Sequence, residues 1–186
     1  LFYDKRLMGN PSNESNSINW GKPCLRGTGN QFPNQGIVFE AIKHSGCSVK
    51  SIEEIDFIEK LVESLLGGSY TYAQFNENRT GEITPNDILV TAPYNVQVNR
   101  LEQRLEGRAK VGTVDRFQGQ EAPIAIHSLT ASSSDDAPRG IEFLLEPNRL
   151  NVAISRAQCL SIIIGSPRLA TGLINTVDEA EKVNRL

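Results

Sequence analysis

The sequence predicts an α/β domain of three layers built on a mainly parallel sheet. Two patterns carry that prediction. Several short apolar runs lack the alternation of a half-solvated strand, which marks strands buried on both faces. Between them fall amphipathic stretches at helical spacing, as crossovers between parallel strands require. Size agrees with one domain over residues 1–186, and 39% apolar against 22% charged residues suffices to bury a core.

The elements follow in chain order. Residues 9–36 read as a long loop or an insertion, because Asn, Gly, Ser and Pro crowd there without a period. Residues 36–42, with Ile37, Val38, Phe39 and Ile42, make a first strand. Ser51-Ile52-Glu53-Glu54 has the form of a capping box. Ile52, Ile55, Ile58, Val62 and Leu65 recur from it at helical spacing until Gly67-Gly68 stops the helix. Ile88, Leu89 and Val90 give a short strand over 87–92. Pro93 then opens a helix with Tyr94, Val98, Leu101 and Leu105 on its apolar face, ended by Gly107. Strands over 110–114 and 122–129 come next. A helix over 147–157 presents Leu150, Ala153, Ile154 and Ala157, and the most apolar strand follows at 160–164. Short helices near 167–174 and 177–184 close the chain, and no internal repeat is visible.

Composition excludes several classes of function. The 19 Lys+Arg against 22 Asp+Glu leave a net charge of −3, so contact with nucleic acid requires a local patch rather than a basic coat. No apolar run approaches the roughly 20 residues that cross a bilayer, and no signal-peptide core opens the chain. Cys24, Cys47 and Cys159 are scattered without a CxxC, which argues against a disulfide framework or zinc site and for a reducing, cytoplasmic setting. The chain opens Leu1-Phe2-Tyr3 without Met, as a piece of a longer polypeptide would.

A self-sufficient active site is not visible. GxxxxGK[ST], HExxH, a nucleophile elbow and a Cys-His pairing are all missing, and Gly27-Thr28-Gly29 lacks the third Gly of a dinucleotide fingerprint. His44 and His127 are isolated; His127, at the end of an apolar strand, reads as a core or edge histidine. Two segments stand out. In Val111–Glu121 a strand enters a polar turn and a second strand follows at once. Ligands of open α/β sheets gather at strand carboxyl ends. Gly119 permits close backbone approach, Glu121 can accept from a sugar hydroxyl and Thr113 can donate to a phosphate oxygen. A plain tight turn with a capping Asp fits the same residues. In Asn148–Ala157, Arg149 and Arg156 stand seven apart on one helix, and each needs an anion, either a structural carboxylate or a ligand phosphate.

Together these segments resemble the second RecA-like domain of superfamily 1 helicases, in the Upf-like/DNA2-type branch. The family pattern V-D-x-F-Q-G-x-E is matched by Val114-Asp115-Arg116-Phe117-Gln118-Gly119-Gln120-Glu121, and R-L-N-V-A-[ILT]-[ST]-R-A by Arg149 through Ala157. Ile88–Gln97 is similar to I-x-V-x-[TA]-P-Y-x-x-Q, and Leu1-Phe2-Tyr3-Asp4 resembles the F-Y that trails the Q-Y-R-M-H-P segment. Asp135–Phe143 looks most like bacterial members, some of them fused to a RecB-like nuclease.

The resemblance implies a RecA-like fold and ATP bound with Mg2+ between two such domains. The P-loop, the magnesium carboxylate and the water-positioning glutamine would lie on an N-terminal partner domain. Arg156 would be the arginine finger on the γ-phosphate, a fixed charge suited to phosphoryl transfer. Glu121 would contact the ribose beside Gly119, and Gln118 would couple nucleotide to strand. Thr113 and the Thr91-Ala92-Pro93-Tyr94 turn would touch a single-stranded nucleic-acid backbone, DNA favoured with RNA as the other option, joined by Gln97. Arg149 is left between a structural pair and a ligand contact. Arg100, Arg104 and Arg108 offer a basic stripe or a solvated helix face. A non-catalytic RecA-like binding module remains the alternative, and a small-molecule enzyme lacks any nucleophile or cofactor loop.

Overall fold

The computed structural model describes residues 15–74 and 77–171. A five-stranded sheet forms the centre, in the order β2-β8-β7-β5-β6, from β2 (Gly36–Ala41), β5 (Ile88–Thr91), β6 (Lys110–Gly112), β7 (Ala122–Ser128) and β8 (Ala157–Gly165). Every neighbouring pair in it is parallel. The cause is the one the sequence carries: all seven residues of β7 and the last seven of β8 are buried, so both faces need cover.

Alternation along β8 separates the two faces. Leu160, Ile162 and Ile164 join a core with α1 (Ile52–Leu65) and α2 (Asn95–Leu105), whereas Ile163 packs with Leu129, Leu150 and Leu169. That second face is covered by α3 (Ile141–Leu144), α4 (Pro147–Ile154) and α5 (Pro167–Thr171). Each fully buried Ile or Leu contributes about 1.5–3 kcal/mol against exposure, which holds β8 inside the sheet between β2 and β7.

The structure departs from the sequence reading at several points, each with a physical reason. Within the stretch read as loop over 9–36, β1 (Ser17–Asn19) pairs with β3 (Ser69–Gln74), and Ile18 and Phe32 enter the core. β3 and β4 (Glu77–Glu82) form an antiparallel hairpin where no element was expected. β4 is a row of polar, exposed residues held by its partner, and Tyr70 lies over Gly81 so closely that a Cβ there would meet the ring. The capping box is half made. Ser51 Oγ accepts from Glu54 N at 3.2 Å, but the Glu54 carboxylate turns into the core instead of back to Ser51. Finally, β8 begins at Ala157, so α4 stops at Ile154, before the point expected, while α3 was not foreseen. The helix expected near 177–184 lies outside the described residues, as do Leu1–Asp4.

Candidate nucleic-acid and nucleotide faces

The carboxyl ends of β5, β6 and β7 meet at one cavity of about 400 Å³. Pro93, Tyr94, Thr113, His127, Arg139 and Arg149 are among its walls. Three of the five expected strand contacts, Pro93, Tyr94 and Thr113, are therefore brought together. Tyr94 caps α2 without a side-chain hydrogen bond to its first turn, so that turn keeps free N–H groups at the cavity. The Tyr94 ring is buried and its hydroxyl has no hydrogen-bond partner among the described residues. Burial pushes that hydroxyl's pKa up, and the nearby Arg139 charge pulls it partly back.

Two guanidiniums rest on the Phe143 ring, Arg139 at 4.2 Å and Arg149 at 4.5 Å from its centre. Arg149 also pairs with Asp115 at 3.0 Å. Among the described residues Arg139 has no carboxylate in ion-pair reach. His127 is buried and shares a 2.7 Å hydrogen bond with Thr91 Oγ1. Burial, with Arg149 second, pushes its pKa down to about 4.

The other two expected strand contacts point inward. Thr91 is buried and its hydroxyl donates to Ile126 O as well as meeting His127. Gln97 is fully buried; its amide accepts from Ser51 N at 3.0 Å and donates to Ser128 Oγ at 3.0 Å. Both brace the groove from beneath rather than lining it.

A second cluster forms where β7 and β8 begin. The Arg156 guanidinium donates to Val152 O at 3.0 Å, Gln120 O at 3.3 Å and Ser155 Oγ at 3.1 Å. All three acceptors are neutral, and no described carboxylate pairs with it. The adjoining turn carries exposed Gln118, Gly119 at φ +78 and exposed Glu121, whose carboxylate accepts from Gln158 at 3.3 Å. A Cβ at Gly119 would meet nothing within 4 Å, so the glycine answers backbone conformation and open space. The 113–121 stretch thus runs from the groove to Arg156. α4 spans the same gap, with Arg149 at one end and Arg156 beyond the other, roughly 10 Å along the helix axis.

Beneath the groove lies a buried polar network that sequence reasoning missed. Both Glu54 oxygens accept from Thr130 N, at 3.1 and 3.0 Å, and the carboxylate also receives Ser128 Oγ. His44 bridges Glu54 at 2.9 Å and Ser132 at 2.7 Å. Ser132 is fully buried and accepts from Cys47 N, so this Ser-His-Glu chain is a brace, not a nucleophile. It holds Thr130 at φ +73, a left-handed conformation that β-branched residues avoid, where the chain leaves β7 for the segment carrying Arg139 and Phe143.

The expected basic stripe is broken, because α2 ends at Leu105 and Arg108 lies beyond it, and it is largely neutralised. Arg104 pairs with Asp56 and Glu59, and Arg108 with Glu59 and Glu63, all on α1. Among the described residues no group of His, Cys, Asp and Glu is set to hold a metal, and no helix is long and apolar enough to cross a membrane.

With this geometry in place, comparison with known proteins is informative. A family model described as an AAA domain matches residues 1–168. The putative helicase MOV-10 of Gallus gallus is 29% identical over 89% of this chain and 18% of its own length. A regulator of nonsense transcripts 1 homolog of Arabidopsis thaliana is 33% identical over 74% of the chain and 11% of its own length. The probable RNA helicase armi of Drosophila melanogaster is 38% identical over 47% of the chain and 8% of its own length. The chain therefore spans less than a fifth of each of these relatives.

Proposed function

The chain belongs to the AAA-domain family, in its superfamily 1 helicase form, and from that premise we propose that it is the second motor domain of an ATP-dependent helicase. In this reading Arg156 is the arginine finger. The observation that carries it is a guanidinium that, among the described residues, is held by neutral acceptors alone beside the Gly119–Glu121 turn. Such a group suits the anionic γ-phosphate, whose charge a fixed fork can offset during transfer. Gly119 leaves open space and Glu121 offers an acceptor for the ribose, while Gln118 stands exposed beside them. ATP supplies the phosphoryl group and Mg2+ its charge neutralisation; the P-loop and metal ligands belong on a preceding RecA-like domain.

The cavity with Pro93, Tyr94 and Thr113 is the track for single-stranded nucleic acid. Positive charge and free helix N–H groups suit a phosphate backbone without sequence preference. Relatives named as RNA helicases bring RNA forward beside the DNA expected from sequence. The free thiols at Cys24, Cys47 and Cys159 fit a reducing, cytoplasmic setting. A fused nuclease would lie on residues beyond this chain.

The test is ATP hydrolysis by the full-length protein with and without oligo(dT) or oligo(U). Hydrolysis stimulated by either strand supports the reading, and the stronger stimulator identifies the track. A full-length protein that binds strands without hydrolysing ATP would leave a non-catalytic binding module instead.

A further inference from the structure

We infer that Arg139 grips a phosphate of the bound single strand, sharing that phosphodiester with the Tyr94 hydroxyl. The inference rests on the strand-track reading above and adds a residue outside the segments that carry it. Arg139 is exposed and follows Pro138 just before α3.

Four observations converge. The guanidinium face of Arg139 lies on Phe143 at 4.2 Å, which orients the group and leaves its edge N–H donors without an ion-pair partner among the described residues. Its neighbour Arg149 rests on the same ring but is offset by Asp115 at 3.0 Å. Among the described residues, the charge left over in the cavity is that of Arg139, and it calls for an anion.

Tyr94 supplies the second grip. The residue is only 8% exposed and its hydroxyl has no partner among the described residues. A buried donor left unpaired is unfavourable, so an arriving acceptor is favoured. Burial raises the hydroxyl's pKa, so it is a neutral donor at physiological pH, and Arg139 is the charge it senses. The first turn of α2, an eleven-residue helix, adds uncapped N–H groups at the same wall, with Asn95 among the lining residues. A phosphodiester oxygen satisfies the guanidinium, the phenol and the helix end together; a base offers no charge to meet Arg139.

The test measures equilibrium binding of a fluorescent oligo(U) or oligo(dT) by the full-length protein across a series of NaCl concentrations. One phosphate contact on a single strand contributes about 0.7 to the slope of log K against log salt. R139Q should lower the slope by about 0.7 and weaken binding about fivefold at about 0.1 M salt. R139K should restore most of the slope, because it returns the charge. Y94F should weaken binding while leaving the slope unchanged, because it removes a neutral donor. If the parent binds and R139Q keeps the full slope, Arg139 merely supports Phe143 and the inference falls. If the parent binds neither strand, the track reading falls, and this inference with it.

Discussion

Replacing Glu54 by Gln should destabilise the protein by about 2 kcal/mol, and replacing it by Ala by about 4 kcal/mol. The estimate comes from the bonds the carboxylate makes. Both of its oxygens accept from Thr130 N, and it also receives Ser128 Oγ and meets His44 at 2.9 Å, all fully or almost fully buried. Hydrogen bonds to a charged group are worth about 1.5–3 kcal/mol each in net terms. Gln keeps the shape but turns one acceptor into a donor, so one neighbour loses its bond. Ala strands the Thr130 N–H and the Ser128 hydroxyl and leaves a cavity as well. Thr130 sits at φ +73, and the lost carboxylate also releases that strained residue. Urea unfolding followed by fluorescence and circular dichroism is the assay. With a slope of about 2 kcal/mol per molar urea, E54Q moves the midpoint down by about 1 M. A shift for E54Q below about 0.5 kcal/mol would refute the claim that this network holds the groove together.

The other predictions are narrower. His127 has its pKa pushed down to about 4, so the unfolded chain takes up a proton as pH falls below 6.5 and the folded chain does not. Stability present above pH 6.5 is therefore lost as pH drops towards 4, by up to about 3 kcal/mol; H127Q should flatten that limb in pH-dependent urea melts, and an unchanged limb contradicts the assignment. Gly119→Ala places a Cβ in open space but at φ +78, so it should cost about 1 kcal/mol through backbone strain and raise the KM for ATP; a loss above about 3 kcal/mol would mean the turn is packed. Arg149→Gln breaks a partly exposed pair with Asp115, so stability should change by less than about 1 kcal/mol while strand affinity falls severalfold. The reverse outcome, a large stability loss with intact affinity, would make Arg149 purely structural.

The parallel sheet was legible because its strands are continuous apolar runs; Ile162, Ile163 and Ile164 need cover on both sides, whichever helices supply it. The hairpin was not legible, since β4 reads Glu-Asn-Arg-Thr-Gly-Glu and is a strand only by pairing with β3. Within the candidate site, the motif residues Pro93, Tyr94 and Thr113 do meet at one cavity. Thr91 and Gln97 belong to the same motif, yet their sides face the core, because alternation along β5 and the turn of α2 decide direction and a motif does not. Nothing local linked Glu54 to Thr130, which lie 76 residues apart, or His44 to Ser132, 88 apart. Arg139 lies in the Asp135–Phe143 stretch that resembles bacterial members, yet nothing in that stretch gave it a role; its place over Phe143 emerges only when α3 folds against the second face.

The central claim is that Arg156 completes an ATP site shared with a second motor domain. Single-turnover ATP hydrolysis by full-length R156A and R156K, alongside equilibrium binding of a fluorescent ATP analogue, tests it most directly. R156A should lose hydrolysis on the order of a thousandfold or more, R156K should recover little because a point charge cannot reproduce the fork, and nucleotide affinity should stay within a few-fold of the parent. Hydrolysis by R156A at the parental rate would contradict it.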